Sequence, residues 1–127
     1  MTYVAIVAMV ALLEYLYFSI QVGQARGKYG IEAPATTGNE VFERVFRIHQ
    51  NTLEQLIIFF PAMYTFAVYV DPLWAAGLGL VFVIGRAVYS AGYTAAPEKR
   101  GTGMLIGFAA NAIMLLGGLV GAVMALL

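Results

Sequence analysis

The chain is 127 residues long (13.7 kDa); 61% of its residues are hydrophobic and 11% charged, where soluble domains run at about half and about a quarter. That composition places the chain in a membrane and bounds it to a single domain over residues 1–127. Seven basic residues balance seven acidic ones, which argues against a basic nucleic-acid-binding face, while the absence of cysteine excludes disulfides, thiol nucleophiles and thiolate metal sites, and the single histidine excludes a histidine-rich metal site within one copy.

A helix needs about 20 apolar residues to cross about 30 Å of hydrocarbon. The first such stretch runs from Thr2 to about Val22 and predicts a helix over 2–23, interrupted by Glu14, Ser19 and Gln21. No Lys or Arg precedes it and no small-residue cleavage site follows a short apolar core, so a retained helix is favoured over a removable signal. A polar segment follows from Gly23 to about Arg47. Within it, Thr37 and Glu40 have capping-box spacing, so the second helix is expected over 38–70, about 50 Å long, with its first turns protruding or lying at the interface. Asp71 and Pro72 then supply an N-cap and a first-turn proline, a tight hairpin into a third helix over 73–96. Arg86 lies inside that helix, and Pro97 is expected to end or bend it. The fourth helix, 103–127, has Asn111 as its one strongly polar residue and glycine or alanine pairs four apart (Gly103 and Gly107, Gly117 and Gly121, Gly118 and Ala122), a pattern for close packing in lipid. The expected fold is an all-α, integral membrane four-helix bundle of up-down topology.

Six of the seven Lys and Arg fall in the loops after helices one and three: Arg26, Lys28, Arg44, Arg47, Lys99 and Arg100. The positive-inside rule then puts both charged loops in the cytoplasm and both termini on the opposite side. Counted from the cytoplasmic helix ends, Glu14, Arg86 and Asn111 each lie roughly 10 to 15 Å deep, so they are expected to form one polar layer in which Glu14 and Arg86 pair.

On the second helix Arg47, Asn51 and Glu54 are spaced i, i+4, i+7 and share one face where the helix enters the membrane, with Arg44 just before and His49 and Gln55 on adjoining faces. Arginines snorkelling to headgroups would explain Arg44 and Arg47, but not the amide and carboxylate that follow on the same face. A guanidinium, an amide and a carboxylate in line suit a ligand with carboxylate, amide and ammonium groups, such as a small peptide. Arg86, Tyr89 and Tyr93, spaced i, i+3, i+7 on the third helix, offer a matching face; singly, such tyrosines would read as interfacial anchors.

These residues carry a resemblance to the MAPEG family, the membrane-associated proteins in eicosanoid and glutathione metabolism. The stretch Glu43-Arg44-Val45-Phe46-Arg47-Ile48-His49-Gln50-Asn51-Thr52-Leu53-Glu54 resembles that family's Glu-Arg-x-x-Arg-x-(His/Gln)-x-Asn-x-x-Glu signature, and Tyr89-Ser90-Ala91-Gly92-Tyr93 with Arg100 seven residues on is similar to its third-helix motif. Tyr17 to Val22, followed by Ala25 and Arg26, is similar to its first helix and loop. The resemblance implies a homotrimer that binds glutathione, as co-substrate, between neighbouring subunits on the cytoplasmic side. It implies that Arg26 and Arg47 hold the glutathione carboxylates, His49 and Asn51 its polar backbone and Glu54 its ammonium. Tyr89 and Tyr93 would line the tripeptide, and Arg100 would be the catalytic residue facing the sulfur. The partner would be a lipophilic electrophile or lipid hydroperoxide arriving from membrane lipid, with no metal involved. Gln55, Gly27 and Pro97 depart from the family pattern.

Two other readings compete. A non-catalytic, lipid-binding scaffold of the same family would keep the fold without the chemistry. A small multidrug exporter, to which a four-helix chain with a carboxylate in helix one is also similar, would use Glu14 for proton exchange but leaves the Arg47, Asn51, Glu54 face idle. A Ser-His-Asp hydrolase is excluded within one copy, because His49 and the sole aspartate, Asp71, are expected at opposite membrane surfaces.

Overall fold

The computed structural model describes residues 1–127 and is all-helical: α1 (Thr2–Tyr29), α2 (Glu40–Tyr69), α3 (Pro72–Ala95), a 3-10 turn (Pro97–Arg100) and α4 (Gly101–Leu126). Four helical stretches are long and apolar enough to cross a membrane.

Local chemistry sets the helix ends. α1 passes through Gly23 and Gly27 and stops only at Gly30, whose φ of 68° is the left-handed conformation that closes a helix. It therefore extends beyond the expected end near residue 23, and Arg26 and Lys28 occupy its last turn, where the helix dipole favours cations. The cap of α2 is Asn39, not the expected Thr37 box: Asn39 Oδ1 accepts from the backbone N–H groups of Val41 (2.9 Å) and Phe42 (3.1 Å). Glu43 rather than Glu40 reaches back, accepting from the Gly38 N–H at 3.2 Å. The hairpin is as expected, with the Asp71 carboxylate accepting from Trp74 N–H at 3.0 Å and Pro72 in the first turn of α3.

The main core lies between the helices, where Phe59 and Phe82 stack with centroids 4.2 Å apart beside Ala11, Met63, Ala75 and Met114. α4 lies on α2 and α3, while α1 packs against α2 and α3 from another side. The glycines of α4 are the contact points. A Cβ at Gly103 would lie 2.1 Å from the Tyr89 backbone nitrogen, and one at Gly117 would lie 2.7 Å from the Phe66 ring. Outside this core Leu13, Ile57, Trp74, Leu105, Phe108 and Leu116 are each at least 60% exposed. An apolar coat distributed over all four helices is what lipid covers, and the chain is a multi-pass integral membrane protein.

Candidate functional site

The first turns of α2 combine hydrogen-bonding side chains with an apolar back, so one face packs on the bundle and the other opens a groove. Phe42, Ile48, Thr52 and Leu56 are buried on the packed side. The groove has a volume of about 700 Å³ and is lined by Arg47, Asn51 and Glu54, as the i, i+4, i+7 spacing predicts. Tyr93 from the end of α3 and Pro97 from the 3-10 turn form its opposite wall. Arg44 fastens that wall, donating to the Thr94 carbonyl at 3.4 Å and pairing with Glu40 at 3.9 Å. Arg47 and Glu54 are exposed on the groove, each without a protein partner for its charge.

Behind the groove sits Arg86, 1% exposed. Its guanidinium donates from Nε (3.2 Å) and Nη2 (2.9 Å) to Thr52 Oγ1, and from Nη2 to Asn51 Oδ1 at 2.9 Å. Thr52 in turn donates to the Ile48 carbonyl at 2.7 Å. The bond from Arg86 occupies the acceptor end of the Asn51 amide, so Asn51 offers the groove its NH2 donor. Arg86 also lies over the Tyr89 ring (4.2 Å to the centroid), Tyr89 contacts Tyr93 edge-on (5.7 Å), and Arg100 lies over Tyr93 (5.5 Å). Two tyrosine rings, with a cation at each end, thus form a continuous row from the bundle interior out to the 3-10 turn.

Two expectations about the polar layer are corrected. Glu14 and Arg86 form no ion pair; the guanidinium is committed to Thr52 and Asn51, neutral acceptors within reach on the helix it packs against. Asn111 does not join them either. Its Nδ2 reaches the Gln55 carbonyl (3.4 Å) and side-chain oxygen (3.5 Å), and its buried Oδ1 has no partner.

The candidate ligand residues divide between two sides of α2. Arg47, Asn51, Glu54 and Tyr93 meet in the groove, Tyr89 is buried beneath them, and Arg100 is tied to them through Tyr93 while lining an adjoining hollow with Pro97, Glu98 and Gly101. Arg26 and His49 do not line the groove. Arg26 donates to the Ala35 carbonyl at 2.8 Å and lies 5.0 Å from the centre of the Phe42 ring, and His49 stacks on Tyr15 of α1 with centroids 4.7 Å apart. Thr52 is the participant that spacing alone passes over; a hydroxyl in a helix turning apolar was its one signal.

Fold and groove define an integral membrane helical bundle with a polar, ligand-sized cleft at one end of its second and third helices. The chain belongs to the MAPEG family, whose model matches residues 4–120. It is 49% identical to an uncharacterized protein of Synechocystis over 91% of this chain and 84% of that one. It is 39% identical to human microsomal glutathione S-transferase 2 (92% of this chain, 80% of that one) and 38% identical to guinea pig (Cavia porcellus) leukotriene C4 synthase (76% and 67%).

Proposed function

We propose that this protein is a membrane-bound glutathione transferase that activates the glutathione thiolate for attack on lipophilic electrophiles, with reduction of lipid hydroperoxides as a second activity of the same site. The observation that carries the proposal is the groove in which Arg47, Asn51, Glu54 and Tyr93 converge, in a chain whose relatives include a glutathione S-transferase. The tripeptide has two carboxylates, an ammonium and amide carbonyls. Arg47 suits a carboxylate, the free Asn51 NH2 a carbonyl or carboxylate, and Glu54 the ammonium.

Arg26 and His49 complete the set from a second copy. In one chain neither lines the groove, His49 turning to Tyr15 and Arg26 lying on α1 itself, so a neighbour presenting its α1 side could close the site over the ligand. This supports a homotrimer of up-down bundles with the ligand between subunits. The charged loops then lie on the cytoplasmic face and both termini opposite, as the basic residues argue. The whole chain, 1–127, acts as the single membrane domain.

Arg100 is the catalytic residue. A free thiol has a pKa of about 8.5, and lowering it by about two units takes about 2.7 kcal/mol of preference for the thiolate. An ion pair at about 4 Å supplies about 1 kcal/mol in bulk water and about 4 kcal/mol at a protein surface of intermediate dielectric. Arg100 is exposed in the single chain, so bound peptide and a neighbouring subunit must partly dry it. In conjugation the thiolate sulfur forms a bond to the electrophilic carbon and, with an aryl halide, halide departs with the bonding pair. In peroxide reduction two glutathione molecules supply two electrons and two protons, giving an alcohol, water and glutathione disulfide.

The test is a glutathione-conjugation assay on purified protein with a chloronitrobenzene, comparing wild type with Arg100→Ala. The reading expects turnover that the substitution lowers by at least about tenfold. Equal rates would remove Arg100 from the mechanism. No turnover in either, with glutathione still stabilising the fold, would favour the lipid-binding scaffold, and proton-coupled drug uptake lost in Glu14→Gln would favour the exporter.

A further inference from the structure

α3 ends at Ala95 because Ala96 precedes a proline and is extended (φ −163°, ψ 140°). Arg100 therefore does not continue the helical stripe of Arg86, Tyr89 and Tyr93; it returns to Tyr93 only because the 3-10 turn folds back along α3. Gly92 is where that return makes contact. A Cβ there would lie 2.3 Å from the Lys99 carbonyl oxygen and 3.1 Å from the Lys99 carbonyl carbon, both backbone atoms of the residue before Arg100. Two further close approaches continue along the same face of α3. At Gly85 a Cβ would meet the Gly107 nitrogen at 2.8 Å, and at Tyr89 the backbone nitrogen lies 2.1 Å from a Cβ placed on Gly103. Spacing of four and then three residues puts 85, 89 and 92 in one row, so Gly92 is the last of three backbone contacts holding the turn and α4 against α3.

We propose that Gly92 is the positioning residue for Arg100: the missing side chain lets the Lys99 carbonyl settle on α3, which holds the following guanidinium over Tyr93 at the mouth of the groove. The proposal rests on the reading of Arg100 as the thiolate-stabilising group. An alanine at Gly92 must push the Lys99 oxygen out from 2.3 Å to at least 3.0 Å, a retreat of about 0.7 Å delivered one residue before Arg100. Misplacement on that scale costs up to about a hundredfold in rate. The groove's charged and amide groups Arg47, Asn51 and Glu54 belong to α2 and stay where they are, and only the Pro97 edge of the opposite wall moves with the turn, so chemistry should suffer far more than binding.

The experiment compares wild type, Gly92→Ala, Arg100→Ala and Gly121→Ala in detergent. Gly121→Ala is the steric control: its Cβ would lie 2.9 Å from the Tyr69 carbonyl oxygen, beside the Asp71 hairpin and away from the groove. Three quantities are read: the glutathione dissociation constant, kcat with a chloronitrobenzene, and the pH midpoint of the ultraviolet thiolate absorbance of bound glutathione. Gly92→Ala should bind glutathione within about threefold of wild type while kcat falls by about ten- to a hundredfold. Its thiolate midpoint should rise toward that of free glutathione, as in Arg100→Ala, and Gly121→Ala should keep the wild-type midpoint. If Gly92→Ala does not fold, Pro97→Ala replaces it. That variant frees Ala96 to become helical and lifts the turn off Gly92 without a clash, and it should raise the midpoint in the same way. A wild-type midpoint and kcat in Gly92→Ala or its replacement, with both altered in Arg100→Ala, overturns the positioning role and leaves the reading of Arg100 intact. A wild-type midpoint in Arg100→Ala overturns that reading, and the role of Gly92 with it.

Discussion

Replacing Arg86 by methionine separates two jobs that the guanidinium performs at once. Methionine keeps the apolar stem out to the position of Nε but loses the charge and all three hydrogen bonds, two to Thr52 and one to Asn51. Bonds to a charged donor are worth about 1.5 to 3 kcal/mol at each acceptor, so the two acceptors together lose roughly 3 to 6 kcal/mol. Against this stands relief from holding a guanidinium that is 1% exposed in low dielectric, several kcal/mol of opposite sign. Thr52 keeps its bond to the Ile48 carbonyl, and half-buried Asn51 can turn its oxygen to the groove. The net loss of stability is therefore small, about 1 to 2 kcal/mol. Glutathione affinity suffers separately. A freed Asn51 amide that spends half its time flipped costs a factor of about two, and complete loss of its bond to the ligand costs up to about tenfold. Thermal unfolding in detergent and calorimetric titration with glutathione measure the two effects on one preparation. A fall in stability well above 3 kcal/mol with unchanged glutathione affinity would refute the argument and make Arg86 a helix-registry group only.

Other consequences are open to direct measurement. Asn39→Ala removes the oxygen that caps α2 through Val41 and Phe42 and should lower stability by about 1 kcal/mol, read as a lower midpoint of thermal unfolding. Gly103→Ala places a methyl 2.1 Å from the Tyr89 nitrogen, backbone that cannot swing aside, and should destabilise by about 3 kcal/mol or prevent folding, read by size-exclusion profile and melting. Chains carrying Arg26→Ala and chains carrying Arg47→Ala should each be nearly inactive, yet co-expressed they should recover activity. If each site takes Arg26 from one subunit and Arg47 from the next, random mixing leaves about a quarter of the sites intact. Recovery absent from demonstrably mixed assemblies would place both arginines' roles within one chain.

What the sequence disclosed and what it hid follow from how local each determinant is. The Asp71–Pro72 turn and the Arg47, Asn51, Glu54 face depend on contacts within a turn or two, and both were readable from spacing. The start of α2 is equally local, yet its cap is Asn39 and not the expected Thr37, because the Asn39 side-chain oxygen accepts from two backbone N–H groups. α1 outruns the end expected from its apolar stretch because the polar segment from Gly23 to Tyr29 remains helical, and only Gly30 takes the left-handed conformation that closes the helix. The partner of Arg86 could not be read at all. Depth placed Glu14 and Arg86 at one level, but which neighbour a side chain meets depends on helix rotation, and α3 turns Arg86 toward Thr52. Rotation of α2 likewise turns His49 to Tyr15 of α1 while Arg26 stays on α1 beside Phe42, so neither joins Arg47 in the groove, a division invisible to a motif read along one line.

The central claim is that the groove binds glutathione through the charged face of α2. Calorimetric titration of purified wild-type protein with glutathione, repeated on Glu54→Gln and Arg47→Gln, tests it most directly. Both residues are exposed, so neither change should alter stability by more than about 0.5 kcal/mol. The account predicts saturable binding to wild type that weakens by about tenfold or more in each variant. Saturable binding unchanged in both, or no binding by folded wild-type protein, would contradict it.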